Sequence, residues 1–248
     1  MNTIFVPSKG RPESKLLHWL SEEGLPHCIV VEPQDFEAYK KFYLEGNLKV
    51  LHENDKGMAY VRNAILNTAR ATGLYSFWML DDDINAFGKG TPEGYVYSMV
   101  RPALEAADIL LEGFAQGALE YSQFAWSAQP GDHSDGGYCD VCVRIEPARV
   151  KGLAYREEVN LKEDRDFTLQ VLASGERTRR ISHIGFSCPE NGSNKGGLYD
   201  EYKAGREEAA AEALARLWPH CVTVRQKKNG RIDAKIDWRS VRQSRMFV

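Results

Sequence analysis

The sequence predicts an α/β fold built on a mostly parallel sheet. Over residues 2–83, short apolar runs alternate with amphipathic helical stretches, giving four strands with a helix after each of the first three. The loops between them, rich in Pro, Gly, Lys and Asp, fall at the carboxyl ends of the strands, where such sheets hold ligands. A chain of 248 residues that is 43% hydrophobic and 27% charged is large enough to bury one sizeable core.

The first strand is "NTIFVPS", closed by Pro and Gly, and "ESKLLHWLSEEG" follows with helical spacing and Gly24 as its stop. "HCIVVEP" is the second strand, "QDFEAYKKFYLEG" the second helix and "LKVLHEN" the third strand. "MAYVRNAILNTARATG" is a helix with one apolar face, and "LYSFWMLDDD" is the fourth strand. Ala- and Leu-rich composition predicts a helix from Pro102 to Gln123. "FAWSAQPGDHSDGGYCDVCVRIEP" reads as a long loop and then a strand, in which Cys139 and Cys142 serve as small apolar residues. "LKEDRDFTLQVLASG" is a helix, "RTRRISHIGFSC" a strand, "PENGSNKGGLYDE" a Gly-rich loop and "EEAAAEALARLW" a helix. "VTVRQKKNGRIDAKIDW" is a hairpin turning at Asn229-Gly230. With no internal repeat and no linker, the expected organisation is one domain over 1–224 and a C-terminal extension over 225–248 packed on it.

That extension is basic. From Arg225 onward eight Lys or Arg face only Asp233 and Asp237, so a chain of net charge -3 has a body of about -9 and a tail of about +6. A basic tail suits a polyanion such as nucleic acid, and suits a solvated terminal hairpin equally. Five cysteines, with a lone CxxC at Cys139 and Cys142, give no four-ligand zinc pattern and fit a reducing compartment. The N-terminus lacks a signal-peptide pattern and no apolar run is long enough to span a membrane, so a cytoplasmic location is expected.

The chemistry concentrates in a few stretches. "DDD" (Asp81, Asp82, Asp83) follows a strongly apolar strand, and beyond the strand end Asp81 and Asp83 can converge on one hard cation such as Mg²⁺ or Mn²⁺, with Asp82 beside them. The plainer alternative is a helix cap and a solvated acidic turn. "KEDRDF" places Glu163, Asp164 and Asp166 at a helix start, where acids favour the helix dipole and where a general base can also sit. "PSKGRP" offers Lys9 and Arg11 from a tight loop. Gly57 precedes a helix N-terminus suited to an anion, with Arg62 and Asn63 on that helix. In "ENGSNKGG", Gly192, Gly196 and Gly197 permit close backbone approach while Asn194 and Lys195 offer donors. His183 lies just upstream on a strand, as a core histidine or a metal ligand.

"FVPSKGRP", "GMAYVRNAIL", "WMLDDDI" and, about 80 residues later, "EDRDF", taken in this order, resemble a GT-A glycosyltransferase. With the late "NKGG" loop they look most like the TET-associated glycosyltransferases of bacteriophages, over residues 3–200. The resemblance implies a Rossmann-like nucleotide-sugar-binding fold and transfer of a sugar, from a UDP-sugar, to 5-hydroxymethylcytosine in double-stranded DNA. It implies Asp81 and Asp83 as metal ligands, with His183 loosely in the place of a third, and Asp164 as the inverting base with Glu163 beside it. It further assigns Pro7, Ser8, Lys9, Arg11, Glu32, Arg62, Asn63, Asp82 and Lys195 to donor binding. A saccharide or protein acceptor on the same fold is the alternative, with a nucleotidyltransferase or a non-enzymatic DNA-binding module further behind.

Overall fold

A computed structural model of the chain describes residues 1–190, 193, 196–227 and 230–243. The first half runs β1 (Thr3–Pro7), α1 (Lys15–Glu22), β2 (His27–Val31), α2 (Phe36–Tyr39), β3 (Leu48–Val50), α3 (Met58–Ala71), β4 (Phe77–Leu80). A hairpin of β5 (Ala86–Thr91) and β6 (Gly94–Ser98) follows, then α4 (Val100–Leu110), β7 (Gln116–Tyr121), α5 (Ser122–Ala125), β8 (His133–Asp135) and β9 (Cys142–Ile145). The chain continues through α6 (Glu163–Ala173), β10 (Thr178–Ser187), α7 (Tyr199–Lys203), α8 (Glu207–Leu217), β11 (Val222–Gln226), β12 (Ile232–Ile236) and α9 (Trp238–Gln243).

Among the described residues one mixed sheet has the order β3-β2-β1-β4-β9-β7-β10-β5-β6, with β8 also paired to β10. Strands β3, β2, β1 and β4 are parallel, as are β7 and β10, whereas β9 and β5 run against their neighbours. The central strands are apolar on both faces, as the cover of helices requires. Ile4, Val6, Trp78 and Leu80 pack with Leu16, Leu17 and Leu20 of α1 and Leu104 of α4. Phe5, Phe77 and Met79 pack on the other face with Ile65 and Leu66 of α3 and Phe167 of α6. A third apolar cluster joins α6 and α8 to Val222, Ala234 and Val241, so the C-terminal hairpin and α9 pack against the outside of α6.

Four expectations change. The helix expected over 34–46 is only α2 with a short 3-10 turn on either side, because Tyr39 and Tyr43 turn inward to the first loop. The helix expected to continue to Gln123 stops at Leu110, and β7 replaces its second half. At Gly117 an added Cβ would lie 2.5 Å from the Leu111 side chain, so glycine leaves room for the buried Leu111 at the end of α4. The β5–β6 hairpin has no counterpart in the sequence reading, and the Cys142 strand enters the sheet antiparallel. The tip of the C-terminal hairpin, Lys228 and Asn229, lies outside the described residues.

Candidate active site

The carboxyl ends of β1, β2 and β4, together with the loop before α3, open into a cleft of about 280 Å³. Pro7, Ser8, Lys9, Arg11, Glu32, Arg62 and all three adjacent aspartates line it. Its far wall comes from the chain around α7, including Gly197 and Tyr202.

Strand alternation separates the first two aspartates. Asp81 continues the face of Phe77 and Met79 and meets α3, where the Arg62 guanidinium lies 3.2 Å away. Asp82 continues the face of Trp78 and Leu80 and meets the first loop. It accepts from Ser8 Oγ at 2.6 Å and from Arg11 Nη1 at 2.5 Å, and its side chain is only 6% exposed. Asp83 lies 3.3 Å from Arg11, and the Asp81 and Asp83 side chains keep 28% and 24% of their surface open. Burial, with Arg62 working against it, pushes the Asp81 carboxyl up to about 7; burial also raises Asp82 and Asp83.

The first loop is fixed from several sides. Tyr39 shares a 2.6 Å hydrogen bond with Ser8 and accepts from the Arg11 amide, and Ser14 donates to the Asp82 carbonyl. Lys9 bridges Glu32, at 3.0 Å, and Asp55. Glu32 also accepts from Gln34 and from the Asp55 amide, so it organises the floor beneath the second strand. Gly196 and Gly197, at the end of the late glycine loop, lie against Lys9 and Arg11. The Gly197 amide donates to the Lys9 carbonyl at 3.2 Å, and an added Cβ on Gly196 would lie 2.7 Å from that same oxygen. Lys195 lies outside the described residues.

Glu163 and Asp164 open α6 beside Arg62. Glu163 is buried, its Oε1 lies 3.3 Å from Arg62 Nε, and its Oε2 is buried with no hydrogen-bond partner among the described residues. Burial, opposed by Arg62, raises the Glu163 carboxyl. Asp164 accepts from the Tyr138 hydroxyl at 2.6 Å and from the Arg165 amide at 2.7 Å. Tyr202 connects this pair to the cleft it lines: burial raises its hydroxyl, and the charges of Asp164 and Glu163 add to the effect. Among the described residues, the non-glycine positions with left-handed backbone are Asp55, Val141 and Leu161, and each lies beside a residue of the site. Val141 is β-branched, which makes that conformation costly, and its carbonyl takes the Asp81 amide at 2.9 Å.

Two sequence candidates stand elsewhere. Asn63 clamps the Tyr155 backbone through both ends of its amide, at 2.7 and 2.8 Å, rather than facing the cleft. His183 contacts the Gly131–Asp132 backbone, and the structure does not bring it to Asp81 and Asp83. The α3 N-terminus is also taken, because the Asn160 side chain accepts from the Met58 amide at 3.0 Å. Cys139 and Cys142 are buried, and burial pushes the Cys139 thiol up to about 12. Sequence reasoning missed Tyr39, Asp55 and Tyr138. A tyrosine set beside paired glycines in the polar "SDGGYCD" stretch was the available signal for the last.

Among the described residues, no three His, Cys, Asp or Glu side chains are grouped to hold a metal by themselves. Two part-open carboxylates are still a suitable donor set for a hard cation that completes its shell with waters and substrate phosphates. No described helix is long and apolar enough to cross a membrane.

The fold is similar to several solved structures of low identity. A197 from STIV is 15% identical, with 77% of this chain and 87% of that one covered at a TM-score of 0.47. Mannose-1-phosphate geranyltransferase from Thermus thermophilus is also 15% identical, with coverages of 75% and 76% and a TM-score of 0.46. HddC from Yersinia pseudotuberculosis is 11% identical, with coverages of 82% and 98% and a TM-score of 0.46. No curated protein matches the sequence. The family model of the TET-associated glycosyltransferases matches residues 2–197, well over half of the chain, so this protein belongs to the TET-associated glycosyltransferase family and is a glycosyltransferase.

Proposed function

We propose that the enzyme moves a sugar from a UDP-sugar to the hydroxymethyl group of 5-hydroxymethylcytosine in double-stranded DNA, with inversion and with a bound Mn²⁺ or Mg²⁺. Family membership supports DNA and nucleotide-sugar substrates in general. The observation that carries the finer reading is the charge of the cleft. Eight of its described lining residues are carboxylates, and only Lys9, Arg11 and Arg62 are cations. A diphosphate entering such a cleft needs a divalent cation to offset like charge.

Asp81 and Asp83 would hold that cation, which supplies charge neutralisation on the departing diphosphate. Arg62 and Arg11 orient those carboxylates from either side. Lys9, Glu32 and the first loop receive the nucleoside end. Asp164 accepts the proton of the acceptor hydroxyl as its oxygen bonds to the anomeric carbon. The bond from that carbon to the diphosphate oxygen breaks, and UDP leaves with the electron pair. The acceptor hydroxymethyl group projects into the major groove, where the enzyme reaches it in place or after the base is flipped out. Arg225, Lys235 and Arg239 are exposed and form the contact to the DNA backbone, whereas Lys227 and Arg231 are held by Asp233 and Glu207.

The test is transfer of labelled sugar from UDP-glucose, UDP-galactose and UDP-N-acetylglucosamine to hydroxymethylated and to plain duplex, with Mn²⁺ present. Label in the hydroxymethylated duplex alone is expected. Label in neither duplex from any donor overturns the acceptor assignment. Asp164→Ala should retain Mn²⁺-dependent UDP binding by calorimetry and lose transfer; an active Asp164→Ala enzyme overturns the base assignment.

A further inference from the structure

The loop before β9 carries a tyrosine that the reaction as described leaves without a part. The Tyr138 hydroxyl donates to Asp164 Oδ2 at 2.6 Å, while the Arg165 amide holds Oδ1 at 2.7 Å. Both oxygens of the proposed base are therefore oriented before any substrate arrives. One of these bonds comes from the helix backbone and is built in; the other depends on where the Tyr138 ring is held.

That ring is gripped from three directions. The Arg165 guanidinium carbon lies 5.4 Å from its centroid, and Arg180 lies at the same distance. The Trp238 ring stacks on it at 6.0 Å with 21° between planes. Each gripping group is itself anchored. Arg165 pairs with Asp233 at 2.8 Å and donates to the Ala234 carbonyl at 2.9 Å, both on β12. Arg180 pairs with Asp140 at 2.6 Å and Glu120 at 3.0 Å, and its Nε donates to the Tyr138 carbonyl at 2.9 Å. Trp238 begins α9, immediately after the hairpin. Burial and the neighbouring Asp140 and Asp164 raise the Tyr138 hydroxyl well above its ordinary value, so it stays protonated and remains a donor.

We propose that Tyr138 is the positioning residue for the Asp164 carboxylate, and that the C-terminal hairpin and helix clamp it through Trp238 and the Asp233–Arg165 pair. The inference rests on Asp164 being the base. It gives the segment after Gln226 a part in the transfer step itself, besides any contact with DNA. Removing the hydroxyl frees the carboxylate to turn about its χ2 axis and lowers the fraction of complexes with the base aligned. Donor binding, made by the residues that line the cleft, does not change, since Tyr138 is not among them.

The test compares wild type, Tyr138→Phe, Trp238→Phe, Trp238→Ala and the Asp164→Ala control on hydroxymethylated duplex with the UDP-sugar panel and Mn²⁺. Tyr138→Phe keeps the ring and its packing. It should lower kcat about tenfold, with donor KM, calorimetric UDP affinity and Tm at wild-type values. Trp238→Phe keeps part of the stack and should lower kcat by a smaller factor, again with Tm unchanged. Trp238→Ala should show the same kcat defect, and adding Tyr138→Phe to it should cost little more. Wild-type kcat in Tyr138→Phe overturns the proposal, and so does a kcat that falls only together with Tm, which marks a packing role. If Trp238→Ala does not fold, the two phenylalanine variants still decide. Should wild type transfer no sugar, or Asp164→Ala transfer it, the underlying reading fails and this one with it; an active wild type, a dead Asp164→Ala and an unaffected Tyr138→Phe remove this inference alone.

Discussion

Three adjacent aspartates end up in three different environments, and the difference predicts distinct phenotypes. Asp82 is a structural residue: losing it takes from the Arg11 guanidinium and the Ser8 hydroxyl the buried carboxylate they share, leaving Arg11 its longer contact to Asp83 and Ser8 its bond to Tyr39. Asp82→Ala should cost about 3 kcal/mol in urea unfolding, within the usual range for a broken buried pair. Asp83→Ala removes a longer, more open contact and should cost about 1 kcal/mol or less, yet abolish Mn²⁺-dependent UDP binding. Asp81 carries a pH signature. Its carboxyl titrates near 7 in the folded protein, against about 4 unfolded. The folded state therefore holds that proton more tightly, and stability falls as pH rises from about 4 through about 7. Unfolding midpoints without divalent cation should be higher at about pH 5.5 than at about pH 7.5, and Asp81→Asn should flatten that difference. An unchanged slope in the variant would place the titration on another group.

Among the elements, the late glycine loop and the C-terminal hairpin each act at a distance in sequence. Gly196 has φ +91°, and an added Cβ would press on the Lys9 carbonyl. Gly196→Ala should lift this loop from the first one, lowering Tm by a few degrees and raising donor KM several-fold with little change in kcat. At the hairpin, burial works to raise the Asp233 carboxyl, and Arg165, Lys227 and Lys162 outweigh it, holding it well below the usual carboxylate range. That stability is present above the unfolded value of about 4 and is lost as pH falls through the lower folded value. The destabilisation caused by Asp233→Asn at neutral pH should therefore shrink in acid, as urea melts at several pH values would show. Elements of this kind also mark what was legible. Strands β1, β2 and β4 could be read directly as short unbroken apolar runs bounded by turn residues, helices α3 and α8 from the period of their apolar faces, and α6 from its acidic start and its Gly175 stop. The edge hairpin β5–β6 and strand β7 could not. Their glycines dilute the alternation, and the reason for them lies in packing that no local pattern shows, such as the Ala128 carbonyl against Gly90. The same holds for the site. Residues on strand ends were visible as motifs, whereas Tyr138 and Asp55 reach it through loops that no periodicity fixes.

For the whole molecule, the acidic cleft and the exposed cations of the C-terminal segment divide the charge between two substrates. Replacing Arg225, Lys235 and Arg239 together by Gln should weaken duplex binding, flatten its salt dependence by up to about three in slope, and leave UDP affinity unchanged. Fluorescence anisotropy at several salt concentrations would measure it, and an unchanged slope would move the DNA contact elsewhere. The antiparallel insertion of β9 bears on how the chain is made. Strand β4 is complete at Leu80, but the neighbour that covers its second edge is not synthesised until residues 142–145, and β10 follows later still. A nascent chain therefore carries a wholly apolar strand with one bare edge through some sixty further residues of translation, a known route to mispairing. Production of the enzyme should thus be limited by chaperone supply and growth temperature during synthesis rather than by the stability of the finished protein.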